Sequence, residues 1–185
     1  MNLKRYVPHA VVALAIVFVL FALWIGVFQT EKTVLIVGDS VTYLSGPSIS
    51  RKLDPKYSLT IDGRPFYRSS DLVGPLNEDL VRLDAMDKNY DRVVFLVGYN
   101  DVLRDDVESV GLAELMYNSE RFACSVWLEL PATPGGRPAQ NPDFDPADVA
   151  RWNARMRDEG ARHENVRVSD AWAQTVNAPG GEALV

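Results

Sequence analysis

The chain has 185 residues and a net charge of −6, enough length for one domain plus an appendage. That acidic balance, with no basic stripe or aromatic platform, excludes an electrostatic nucleic-acid site. A single cysteine, Cys124, and two histidines, His9 and His163, exclude a disulfide framework and a zinc site of the usual type, so neither metal nor cofactor is expected.

At the N-terminus, Lys4 and Arg5 precede a run from Ala10 to Phe28 that carries no charge. As a helix this run rises by about 28 Å, close to the thickness of a bilayer's hydrocarbon core. Tyr6 and Trp24 lie near its ends, where amphipathic rings favour the interface. The positive flank assigns residues 1–9 to the cytoplasmic side and residues 33–185 to an extracytoplasmic domain. A cleaved signal peptide shares that flank, but the run is long and its exit, IGVFQTEK, contains no A-x-A site. The expectation is an uncleaved transmembrane signal-anchor over 10–28, single-pass in the cell membrane, with the lipid bilayer as a partner.

The domain then opens on Thr33 to Leu44, TVLIVGDSVTYL: a β-branched, aliphatic run that turns on Gly38 and presents Asp39 and Ser40. A helix follows and ends near Lys52, because Pro55 blocks its continuation. Tyr57 to Ile61 alternates as a short strand ending at Asp62-Gly63. Leu72, Val73, Leu76, Leu80, Leu83 and Met86 recur with helical period, and the helix proper is expected from Pro75, a residue suited to a first helical position. Asp91 to Val97 is a second buried-strand run, again meeting glycine at Gly98-Tyr99-Asn100-Asp101. A helix is expected over 107–122, a strand over 124–130, and a loop with five prolines from Pro131 to Pro146. A helix over 147–161 and a strand over 165–168 follow, and everything after Asp170 is expected as loop.

Strands alternating with helices imply right-handed βαβ units. The fold class is α/β, flavodoxin-like, three layers with a five-stranded parallel sheet in the order 2-1-3-4-5. In that arrangement the loops after Gly38, Gly63, Gly98, Pro131 and Asp170 share one edge. A serine after a glycine turn is commonly a helix cap, and an asparagine in a loop commonly a turn residue. Both stand just past buried parallel strands here, where α/β proteins put their chemistry. Ser40 is the candidate nucleophile, and its backbone N–H and Asn100 are candidate donors to an oxyanion. Cys124, within a strand-like run, is expected as a buried structural thiol.

The pair VLIVGDSV (Val34 to Val41) and FLVGYND (Phe95 to Asp101) resembles blocks I and III of the SGNH, or GDSL-type, esterase and lipase family. The strand–helix rhythm from Thr33 to Asp170 is similar to that family's as well. The resemblance implies Ser40 as catalytic nucleophile and as one oxyanion-hole donor, with Asn100 as a side-chain donor. It leaves Asp39 structural and has Asp101 bracing its loop. The family's block II contributes a glycine N–H; the best-aligned position here holds Phe66 or Tyr67, with Gly63 coming early, so the backbones of Tyr67 and Gly63 are the weaker candidates for the oxyanion hole. The family's D-x-x-H motif, which supplies the base, has no counterpart here: His9 lies at the membrane entry, and His163 precedes strand five at the opposite edge of the sheet. The domain over 33–185 is therefore expected to be incomplete at its C-terminus.

Two functions follow as expectations. The first is a serine acyl-ester hydrolase or O-acetyl transferase working through a Ser40 acyl-enzyme on small acyl or acetyl esters of envelope glycans or lipids. The alternative is a catalytically inactive binding or assembly module on the same fold. A nucleotide binder is set aside, since neither G-x-x-x-x-G-K-[ST] nor G-x-G-x-x-G occurs. Protein partners and oligomeric state are not readable from the sequence.

Overall fold

The computed structural model describes residues 32–53, 56–85, 90–132 and 145–177. The expected anchor over 10–28 lies outside them; among the described residues no helix is long and apolar enough to cross a membrane. In chain order the elements are β1 (Lys32–Gly38), α1 (Ser40–Leu53), β2 (Tyr57–Gly63), α2 (Ser69–Ala85), β3 (Arg92–Leu96), α3 (Tyr99–Leu103), α4 (Gly111–Ser119), β4 (Ser125–Leu128), α5 (Pro146–Gly160), β5 (Val166–Ser169) and α6 (Ala171–Asn177).

The five strands form one parallel sheet in the order β2-β1-β3-β4-β5, as the alternation of strands and helices implies. Successive strand residues point to opposite faces. Val34, Leu35, Ile36 and Val37 are all buried, so β1 is covered on both sides. That is why it reads as an unbroken aliphatic run rather than an alternating one. Leu35, Val37, Val93, Phe95 and Trp127 join Leu72 and Leu76 of α2, Leu112 and Met116 of α4, and Trp152 and Met156 of α5 in one core. Phe95 stacks on Trp127 with ring centroids 4.1 Å apart.

Chain order reverses between β1 and β3, and in open α/β sheets such a reversal opens a crevice beyond the strand ends. Gly38 ends β1 at that point, paired with Gly63 on one side and Leu96 on the other. A Cβ on residue 38 would lie 2.0 Å from Thr42 Oγ1 and 2.4 Å from the Leu96 carbonyl oxygen. Only glycine lets α1 start so close to the strand.

Four elements differ from the sequence expectations. α2 begins at Ser69 rather than Pro75, because a carboxylate from elsewhere in the chain receives its first N–H. Tyr99–Leu103 is a short helix, α3, where a loop was expected. α4 is confined to Gly111–Ser119 rather than 107–122, since the stretch before it is held as turns by Asp106 N–H to the Asp101 carbonyl at 2.8 Å and Ser109 N–H to the Asp106 carbonyl at 3.0 Å. After β5 the chain forms α6, whose Ala173 and Val176 are buried, in place of loop.

The substitution Gly38→Ala is expected to lower unfolding free energy by about 2–3 kcal/mol, because backbone as well as side chain must shift to admit the methyl group. A urea midpoint unchanged at constant slope would contradict this close approach.

Candidate active site

Asp39 follows Gly38 and is fully buried. Its peptide N–H donates to the Leu96 carbonyl at 3.4 Å, and its carbonyl accepts the Tyr43 N–H at 3.0 Å, opening α1. Its carboxylate accepts twice, at Oδ1 from the Val41 N–H at 3.0 Å and at Oδ2 from the Tyr99 N–H at 3.2 Å. Burial dominates its titration, pushing the carboxyl up to about 7 against the pull of those backbone donors. Ser40 is thus the first residue of α1, partly exposed, held between two anchored neighbours. Neither its hydroxyl nor its N–H has a hydrogen-bond partner among the described residues.

The second turn follows β3. Gly98 has φ 118°, a left-handed conformation, and its Cα faces the Trp152 indole so closely that a Cβ would lie 2.2 Å from Nε1. This kink starts α3 and swings Asn100 and Asp101 inward, where both are buried. The Asn100 amide donates one N–H to the Tyr67 carbonyl at 2.9 Å. Asp101 accepts the Ser69 hydroxyl at 2.6 Å and the Ser69 N–H at 3.0 Å, capping α2 from another part of the chain. The expected bracing of the loop by Asp101 therefore takes the form of a helix cap. Burial raises this carboxyl too. The Tyr99 hydroxyl accepts from Trp172 Nε1 at 3.1 Å, tying α6, beyond β5, to the same turn.

The third segment runs from Gly63 to Arg68. A Cβ on residue 63 would lie 2.4 Å from the Tyr43 backbone nitrogen, so Gly63 serves the approach of α1. Arg64 N–H donates to the Gly38 carbonyl at 2.8 Å and Tyr67 N–H turns back to the Arg64 carbonyl at 3.3 Å. The Tyr67 N–H is consequently occupied; Tyr67 contributes its carbonyl, which orients Asn100. Phe66 sits at φ 68°, an uncommon conformation for a side chain of its size, and its ring is 73% exposed. The Phe66 N–H has no acceptor among the described residues. The loop's two guanidiniums are engaged: Arg64 with Asp62 at 3.0 Å and Asp79 at 3.8 Å, Arg68 with Asp71 at 3.3 Å and Asp106 at 3.0 Å.

His163 stands before β5, with Nδ1 2.6 Å from Glu120 and Nε2 3.4 Å from Glu159. In a parallel sheet that is the edge opposite Ser40, and no other histidine is among the described residues. Cys124 lies just before β4, half-buried rather than buried. No cluster of metal-ligating side chains occurs among the described residues.

No protein-family model matches the sequence, and no curated protein does. Solved structures do match. The SGNH-hydrolase family esterase AlinE4 superposes with a TM-score of 0.59 at 11% identity, over 82% of this chain and 82% of that one. LAE5, an α/β hydrolase enzyme from the metagenome of Lake Arreo, Spain, gives 0.58 at 16% identity, covering 85% of this chain and 92% of the other. The C-terminal catalytic domain of Streptococcus pneumoniae peptidoglycan O-acetyltransferase A, carrying a methylsulfonyl adduct, gives 0.50 at 19%, over 78% and 71%. The fold is that of the SGNH hydrolases. At these identities the likeness is one of architecture, and the SGNH fold puts the turns after β1 and β3 side by side.

Of Phe66 and Tyr67, which the sequence offers together, the Tyr67 N–H is taken by the Arg64 carbonyl and the Phe66 N–H has no acceptor among the described residues; Asp101 as a helix cap is the feature that sequence reading missed. That cap is a tertiary contact that no local pattern announces. Replacing Asp101 by Ala leaves the Ser69 N–H and hydroxyl buried without an acceptor, and should cost about 2–3 kcal/mol. Adding Ser69→Ala should then cost less than it does alone, and strict additivity in urea unfolding would contradict the cap.

Proposed function

We propose that the domain is an SGNH-type acyl-ester hydrolase or O-acyltransferase acting through Ser40, on small acyl or acetyl esters of envelope glycans or lipids. The observation that carries this reading is a Ser40 hydroxyl without a partner among the described residues, on a turn that, with its neighbours after the adjacent strands, offers three N–H groups without an acceptor there. These are the Ser40 N–H, the remaining N–H of the Asn100 amide, and the Phe66 N–H. The resemblance of the GDSV and GYND segments to the SGNH blocks, and the neighbours described as an esterase and an O-acetyltransferase, support the same reading.

In the proposed reaction Ser40 Oγ attacks the acyl carbon, and the carbonyl π pair moves onto oxygen. The three donors receive that oxyanion; such preorganised donors are the largest electrostatic contribution in acyl transfer. Collapse expels the alcohol and leaves the acyl group on Ser40, from which water or an acceptor hydroxyl removes it. The Ser40 proton passes to a base and from it to the departing alkoxide. The one histidine among the described residues does not supply that base, because His163 is bound to two glutamates at the far edge. This last observation favours the second reading, a binding or assembly module of the same fold without turnover. Gly63 enters neither reading as a donor.

Labelling with a serine-directed sulfonyl fluoride, followed by peptide mapping, separates the two. The first reading expects modification at Ser40, its loss in Ser40→Ala, and a rate lowered about 10²–10³-fold in Asn100→Ala. Phe66→Gly keeps the N–H and relieves the left-handed strain, so labelling should persist and stability should not fall. Full-rate labelling of Ser40→Ala would sink the nucleophile assignment. The membrane-anchored, extracytoplasmic topology belongs to the same proposal: deleting Ala10 to Phe28 should move the protein from the carbonate-resistant membrane fraction to the supernatant.

A further inference from the structure

Among the described residues, Asp39 is the buried acid that bonds to both the Ser40 turn and the Asn100 turn. A carboxylate that merely capped α1 would need only the Val41 N–H. Its other oxygen takes the Tyr99 N–H from sixty residues away. Those two N–H groups flank the site's two named side chains: Val41 follows Ser40, and Tyr99 precedes Asn100. Spanning both needs two acceptor oxygens on one planar group, which an ionised carboxylate has and an amide or a hydroxyl lacks.

We propose that Asp39 is a positioning residue whose ionised carboxylate latches the Ser40 turn to the Asn100 turn, and that protonation of this carboxylate releases the latch. Its consequence for acyl transfer rests on the function proposed above. A proton taken from solvent converts one oxygen from acceptor to donor, and one of the two backbone bonds is given up.

The groups around Asp39 set the direction of its response. From α3 the buried Asp101 opposes its charge, and the Tyr99 phenol is the other titratable group there. From α1 the neighbour is the neutral Thr42 hydroxyl, directed at the Leu96 carbonyl. The cation beyond Asp101 is Arg68, engaged with Asp71 and Asp106. No cation pairs with Asp39 among the described residues, and burial carries it up to about 7. Because the folded carboxyl holds its proton more tightly than the unfolded one, its stabilising contribution is complete below pH 4. It is lost as pH rises through about 7. Latching therefore increases over the same range in which this contribution to stability declines.

The test is a pH titration of the full chain in detergent by ¹⁵N NMR, with Ser40 labelling by the sulfonyl fluoride measured in parallel. The Val41 and Tyr99 amides should move together between pH 5 and 9 with one midpoint near 7, and the labelling rate should carry an inflection at the same midpoint. Asp39→Asn should abolish the shared titration and the inflection, and Asp101→Asn should move the midpoint downward by removing the opposing charge. Amides that stay flat, titrate at separate midpoints, or still titrate in Asp39→Asn would overturn the latch. If Asp39→Asn does not fold, the downward shift in Asp101→Asn decides the matter against an unchanged midpoint. Co-titrating amides without Ser40 labelling would refute the nucleophile and leave the latch standing; labelling with flat amides would do the reverse.

Discussion

The contact on which the site depends is the one between the end of β1 and the first turn of α1. Gly38 has no side chain, and the space a methyl group would occupy holds the Thr42 hydroxyl and the Leu96 carbonyl. That closeness makes Ser40 a helix-start residue with an uncommitted N–H rather than a strand residue with a paired one. Gly63 repeats the device from the other side, its Cα against the Tyr43 backbone. Two glycines on neighbouring strands thus clamp one helical turn. The register that pairs Gly38 with Gly63 makes the clamp possible.

Charge around this turn is arranged asymmetrically. The acids nearest the site, Asp39 and Asp101, are buried and satisfied by N–H and hydroxyl donors rather than by cations. The cations nearest it, Arg64 and Arg68, are partly exposed and joined to other acids. Ionising a buried carboxylate without a counterion is costly, and only bonds to the charged form offset it. Each acid therefore does the work of holding segments together: Asp39 joins α1 to α3, and Asp101 joins α3 to α2. Both guanidiniums of the 63–68 loop are thus engaged with carboxylates of the same domain.

The sheet was legible because its central strands are buried on both faces. Val34 to Val37 and Val93 to Val97 read as apolar runs each followed by glycine, and parallel order follows once helices separate them. Ser40 and Asn100 were legible for the same reason, since each is placed by its distance past a strand end. Elements fixed by distant contacts were not. The start of α2 lies at Ser69 because Asp101, thirty-two residues later, receives its first N–H, whereas the local sequence offered Pro75 as the natural opening. α6 was equally hidden: Ala173 and Val176 give it only a narrow buried face, and Trp172 adds a hydrogen bond to Tyr99 that no periodicity encodes.

Phe66 brings these themes together. Its left-handed backbone is a conformation that glycine adopts freely and a large side chain adopts at a cost. Bonds hold its loop at both ends: Arg64 is tied to Gly38, Tyr67 to Arg64, and the Tyr67 carbonyl to Asn100. Pro65 and Phe66 are the two central residues of a four-residue turn closed by the Tyr67 N–H on the Arg64 carbonyl, and Phe66 takes the third position with positive φ, which glycine or asparagine fills most readily. Phe66 is left 73% exposed, and its N–H has no partner among the described residues. Because the donor belongs to the main chain, the Phe66 ring alters what surrounds the N–H and not the N–H itself.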